Sequence, residues 1–146
     1  MAAWEGLIGT VGALLRTFDE ELRESEKLTL SWYEVLFQLD DAPEKRVRMR
    51  DLADRIVLSR SGLTRLIDRM GSAGLVDREP SKEDRRGYYA VLTEEGRRVL
   101  GRARPIHRRG IHDHFTKHLA ERDVKALAAI VAKVRRGNQL QEAGGA

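Results

Sequence analysis

Ser59, Arg60, Ser61, Thr64, Arg65 and Arg69 fall within one eleven-residue stretch, and Asp84-Arg85-Arg86 begins fifteen residues beyond it. Short hydroxyls and guanidiniums at this spacing suit hydrogen bonding to phosphate oxygens and to guanine O6 and N7. The segment that carries them, DLADRIVLSRSGLTRLIDRMGSAGLVDREPSKEDRRGYYAVLT from Asp51 to Thr93, reads as helix, sharp turn, helix, then strand–loop–strand. Ser59 is placed to cap the second helix. Leu63, Leu66, Ile67 and Met70 form its inward stripe; Ser61, Arg65, Asp68 and Arg69 lie opposite, with Arg60 and Thr64 at the edges. Gly62 permits close approach to the backbone. Two short helices across a tight turn make a helix-turn-helix pattern, whose second helix enters a major groove. The plainer reading, a solvated face with an ordinary Arg/Asp pair, loses ground to the adjoining hairpin.

That hairpin pairs Leu75-Val76-Asp77-Arg78 with Tyr88-Tyr89-Ala90-Val91-Leu92 around a loop from Pro80 to Gly87. An Arg at such a tip, Arg86 or Arg85, suits a narrow minor groove, where the negative potential is strongest. Asp84 repels DNA and is read instead as pairing with an Arg and bracing the loop.

The elements that must position these residues are helical. Leu7, Ile8, Val11, Leu14, Leu15, Phe18 and Leu22 predict one amphipathic helix from about residue 4 to 26. Ser31, with Glu34 three residues on, is expected to cap a second helix, ended by Asp40-Asp41-Ala42-Pro43. Arg46-Val47-Arg48-Met49 alternates as a short strand does. Thr93 caps a long helix on the stripe Val99, Leu100, Ala103, Ile106, Ile111, Phe115 and Leu119, kinked rather than broken at Pro105. A last helix spans Glu121 to Arg136, with Gly137 just beyond it. The terminal stripes exceed what a DNA-reading lobe of this size covers, so both chain ends are read as dimerisation surface. A monomeric helical globule is the alternative.

The fold class expected is mainly α with a small β-wing (α+β), one domain over 1–146. Residues 29–92 form the winged helix-turn-helix lobe, 1–28 and 93–137 the dimerisation helices, and 138–146 a flexible tail. Charge follows this division. Residues 1–45 carry four Lys/Arg against ten Asp/Glu, 46–92 eleven against seven, and 93–146 twelve against six. A basic middle and tail suggest a polyanion on one side. With no cysteine, disulfides, thiolate metal sites and thiol switches are excluded. The amino terminus lacks a basic leader and a long apolar run, and no stretch approaches a membrane span, so a cytoplasmic protein is expected.

On the stretch LSRSGLTRLIDRMGSAGLVDR from Leu58 to Arg78, and on the signature DxRxxxxxLT met by Asp84, Arg86, Leu92 and Thr93, the chain resembles the MarR family of dimeric winged helix-turn-helix regulators. One departure is Met70-Gly71, where a Leu and a charged residue are more usual. The resemblance implies DNA contacts from Ser59, Arg60, Ser61, Thr64 and Arg65, with minor-groove contact by Arg86 beside Arg85. It implies a ligand-responsive repressor on a palindromic operator. It also implies a small aromatic or anionic effector in a cleft between the two lobes, for which Trp4, Trp32 and Tyr33 are the candidates, each with core packing as its plainer role.

Other chemistry is sparse. His114 and His118 have the i, i+4 spacing of a zinc pair, with no clear third ligand; no metal and no cofactor are assigned. There is no nucleophile elbow, phosphate-cradling Gly motif or HExxH, so no enzyme is expected. The competing class is a winged helix that binds protein or RNA without operator specificity.

Overall fold

The computed structural model describes residues 1–56, 60–82, 84 and 87–138, and only the backbone of Arg60. Six helices, α1 (Ala2–Glu26), α2 (Leu30–Asp41), α3 (Met49–Arg55), α4 (Arg60–Ser72), α5 (Glu94–His114) and α6 (Glu121–Gly137), surround three strands, β1 (Arg46–Arg48), β2 (Val76–Pro80) and β3 (Tyr88–Leu92). The strands form one antiparallel sheet in the order β1-β3-β2. Arg48 faces Tyr89 in one register and Glu79 faces Tyr89 in the other. The short Arg-Val-Arg alternation is thus a third strand of the wing. No helix among the described residues is long and apolar enough to cross a membrane.

α1 stops because Lys27 turns into the left-handed region at φ 56°, so that its amide returns to the Arg23 carbonyl and the Leu28 amide to the Leu22 carbonyl. The start of α2 corrects the expected cap. Thr29, not Ser31, is the N-cap, its hydroxyl accepting from the Trp32 amide at 3.2 Å. Asp19 of α1 accepts from the Leu30 amide at 2.8 Å, so a carboxylate from a neighbouring helix satisfies a second end donor. Burial pushes the Asp19 carboxyl up, but the Leu30 amide and Arg23 outweigh it and hold it below the usual carboxylate range.

α5 begins where Thr93 accepts from the Gly96 amide at 2.9 Å and runs through Pro105 without a break. It ends at His114, so Phe115 and Leu119 lie past its last turn, around a 3-10 turn from Thr116 to His118. Gly137 is the last residue of α6 rather than the residue beyond it, and Asn138 caps the end. A single residue, Thr93, separates β3 from α5.

The core gathers Leu36 and Leu39 of α2, Leu52 of α3, Leu63, Ile67 and Met70 of α4, Val76 of β2 and Leu100 of α5, all buried. Leu22 of α1 joins them. The first half of α1 does not, for Leu7, Ile8, Val11 and Leu15 are exposed. α6 buries no residue, and its Val124, Ile130, Val131 and Val134 are exposed. Two glycines set the packing. A Cβ on Gly96 would collide with the Leu75 carbonyl, and one on Gly110 with the carboxylate of Glu21 and the ring of Phe18.

Candidate nucleic-acid interface and adjoining cleft

The period of α4 sorts its residues as the sequence predicts. Leu63, Leu66, Ile67 and Met70 are buried, whereas Ser61, Arg65, Asp68 and Arg69 are exposed on one outer face with Thr64 half-buried at its edge. Ser59, Arg85 and Arg86 lie outside the described residues, as does the side chain of Arg60. Asp68 is tied across to the wing rather than along its own helix, accepting from Arg78 Nη1 at 2.7 Å. Arg78 also lies over the Tyr88 ring, 5.1 Å from its centre. This fork fixes β2 against the outer face of α4.

The wing is closed by backbone. The Ser81 amide donates to the Gly87 carbonyl at 2.8 Å, and the Gly87 amide donates to the Asp84 carbonyl at 2.9 Å. The Asp84 amide reaches the buried Ser81 hydroxyl at 3.3 Å. A Cβ on Gly87 would come within 3.1 Å of Asp84 Oδ2, so the carboxylate lies directly over that glycine.

At the base of the wing sit arginines that sequence reasoning took only as strand residues. Arg48 donates through Nε to the Tyr89 hydroxyl at 3.0 Å and lies over its ring at 5.4 Å, with Arg46 over the same ring at 4.9 Å. Arg48, Arg50 and Arg78 line a hollow of about 290 Å³ between α3, α4 and the wing. The alternation of Arg46 and Arg48 was the available signal for the strand, because residues two apart share one face; Arg50 follows in the first turn of α3.

A larger cleft of about 950 Å³ opens between α1, α2 and α5. Tyr33 lines it; Trp32 packs against the core, and Trp4 stands 61% exposed near the start of α1. The Tyr33 and Phe37 rings stack 6.2 Å apart, and the His107 ring lies 4.5 Å from Tyr33 and edge-on to Phe18 at 5.3 Å. Arg104 lies over Phe37 and donates to Asp40 at 2.9 Å. Gln38 Oε1, Arg104 Nε and His107 Nδ1, all on residues of this cleft, are buried without a hydrogen-bond partner among the described residues. Burial pushes the Tyr33 phenol and the Glu34 carboxyl up and the His107 imidazole down. Around these rings the cleft wall carries Arg16, Arg55, Arg104 and Arg108 beside Asp19, Glu20 and Glu34. Its parts were not legible in sequence, since Phe37 and His107 are seventy residues apart.

His114 spends Nε2 on Glu21 Oε1 at 2.6 Å. Among the described residues no group of three or more His, Asp or Glu is placed to hold a metal ion.

A helix pair across a turn, followed by a three-stranded antiparallel wing with its second helix turned outward, is a winged helix-turn-helix. The fold superposes on AbsC, a MarR family transcriptional regulator from Streptomyces coelicolor, with a TM-score of 0.88 and 33% identity over 96% of this chain and 94% of that one. The chain belongs to the MarR family of transcriptional regulators, a family of regulators rather than enzymes. The MarR family model matches residues 27–87. Sco3205, a MarR family regulator from Streptomyces coelicolor solved in complex with DNA, superposes with a TM-score of 0.87 and 30% identity, covering 93% of this chain and 85% of that one. The multiple antibiotic resistance protein MarR of Escherichia coli is 32% identical over 72 residues, 49% of this chain. The chain spans about half the length of that curated relative.

Proposed function

We propose that the protein is a homodimeric repressor that binds a palindromic operator and releases it when a small aromatic or anionic effector enters the cleft. The observation that carries this reading is the outer face of α4, where Ser61, Arg65 and Arg69 stand exposed beside a wing held to the same helix by Asp68 and Arg78. Ser59, Arg60, Thr64, Arg85 and Arg86 complete the proposed DNA contacts, and Asp84 braces the wing. The relative solved with DNA supports it.

The dimer is proposed from surplus apolar surface. Leu7, Ile8, Val11 and Leu15 of α1 and Val124, Ile130, Val131 and Val134 of α6 are exposed in the single chain. Surface of that kind is covered by a partner. A second copy related by a two-fold axis places two α4 helices in successive major grooves, about 34–36 Å apart. The effector is proposed from three polar atoms of the cleft that lack a partner among the described residues and that a ligand with both donors and acceptors satisfies.

The test is a binding titration of the full chain with an inverted repeat from its own intergenic region, against a scrambled duplex and a single-stranded RNA, beside light scattering. A dimer with about 10³-fold or greater preference for the repeat is expected. A monomer at micromolar concentration, or equal affinity for the three nucleic acids, overturns it.

A further inference from the structure

We infer that the hollow between α4 and the wing seats one backbone phosphate, that of the DNA strand dividing the groove read by α4 from the groove reached by the wing. This rests on the DNA-binding reading above and adds a site to it. In a duplex one sugar-phosphate strand separates a major groove from the neighbouring minor groove. A protein that puts a helix in the first and a hairpin in the second must straddle that strand, and the straddling surface is whatever lies between helix and hairpin. Here that surface is concave, about 290 Å³, and carries Arg48, Arg50 and Arg78 together with the polar Thr64 and Ser81.

The cations are arranged before any ligand arrives. Arg48 is held by the Tyr89 hydroxyl at 3.0 Å, and Arg78 by Asp68 at 2.7 Å and the Tyr88 ring. A guanidinium has five N–H donors in a rigid fork. The Arg78–Asp68 bond uses one nitrogen and fixes the fork's direction, so little side-chain freedom is lost when an anion docks. Arg50 is 63% exposed at the rim, paired with the adjacent Asp51 at 3.2 Å. Asp84 also lines the hollow. With the Asp68 and Asp51 partners of Arg78 and Arg50 it opposes an anion, so the seat depends on guanidinium N–H donors rather than on a surplus of positive charge. Nothing in a phosphodiester differs between sequences, so the site sets position and affinity, not base preference.

The test uses the full chain with operator duplexes in which one phosphate at a time is replaced by a neutral methylphosphonate. For the parent, one position per half-site, at the boundary between the two grooves, should weaken binding about tenfold. In Arg78→Ala and in Arg50→Ala, the same replacement should cost little further. Each variant alone should bind all duplexes more weakly and lower the salt dependence by about one counterion. Arg50→Ala guards against a wing displaced by loss of the Arg78–Asp68 bond. Full additivity of variant and methylphosphonate at every position overturns the inference while leaving operator binding intact. A parent that prefers no duplex overturns the DNA-binding reading itself. If millimolar inorganic phosphate raises the parent's Tm but not that of Arg78→Ala, and every methylphosphonate is neutral, the hollow is a free-anion site and the backbone assignment falls.

Discussion

Thr93 Oγ1 donates to the Gly74 carbonyl at 2.7 Å while accepting from the Gly96 amide at 2.9 Å. One hydroxyl therefore caps α5 and clamps the turn that leaves α4, where Gly74 sits at φ 73°. The Thr93 amide adds a bond to the Leu75 carbonyl at 3.3 Å. Thr93→Val keeps the shape and removes both hydroxyl bonds, and should cost about 2 kcal/mol in urea unfolding. Thr93→Ser should recover most of it. A loss in Thr93→Ser as large as in Thr93→Val would show that the methyl group matters as much as the two hydroxyl bonds.

Gly96 lies where α5 touches that same turn. On an exposed helix Ala is favoured over Gly by about 1 kcal/mol, yet a Cβ at Gly96 collides with the Leu75 carbonyl. Gly96→Ala should lower Tm, because backbone cannot move aside as a flexible side chain does, with a net cost of about 1–3 kcal/mol. At Gly101, on the same helix, a Cβ meets nothing within 4 Å. Gly101→Ala should hold or raise Tm. A rise in both would show that the turn yields.

Arg65→Ala should weaken operator binding by about 1–3 kcal/mol and relax preference at one base pair, as expected for a fork on guanine. Titrations against single-base operator variants separate this from a phosphate contact, which weakens all sequences alike. Unchanged affinity would return the outer face of α4 to a merely solvated role.

Asp84→Ala removes a negative charge from the wing, and Coulomb's law alone predicts tighter DNA binding. The Asp84 carboxylate instead lies over Gly87 inside a loop closed by three backbone-donated bonds. Weaker binding is therefore expected, measured across a salt series with the dimer checked by light scattering. Tighter binding would show that the loop keeps its shape without the carboxylate.

His107 gives the pH dependence a sign. Burial lowers its folded pKa from the free value of 6.5, with Glu21 acting in the opposite direction. The unfolded chain thus takes the proton first, so stability is complete above pH 6.5 and falls as pH drops below it. Urea midpoints of the parent should decline from pH 7 to 5 more steeply than those of His107→Phe, which cannot protonate. Parallel declines would assign the loss to other groups.

The legible parts of this fold were those fixed by neighbours in sequence. The inward stripe Leu63, Leu66, Ile67 and Met70 repeats with the helix period, and Thr93 followed by two glutamates marks a start without outside help. The helix α2 shows the limit. Thr29 and Ser31 are both able caps, and the choice fell to Asp19, eleven residues back, whose carboxylate takes the Leu30 amide. Asp68 likewise looked like half of a pair along α4, but Arg78 reaches it from the wing. The cleft is the extreme case, since its wall is assembled from α1, α2 and α5 and no local pattern announces it.

The single-residue joint between β3 and α5 leaves no slack between reading and assembly. A helix of 21 residues is roughly 31 Å long, so a tilt of about 5° carries its far end through roughly 3 Å. Base-edge hydrogen bonds fail over a shorter distance than that. With the middle strand of the wing bolted to the start of α5, a tilt pivoted near His114 would carry the wing through that distance. On the proposed repressor reading, release would need leverage rather than a large rearrangement.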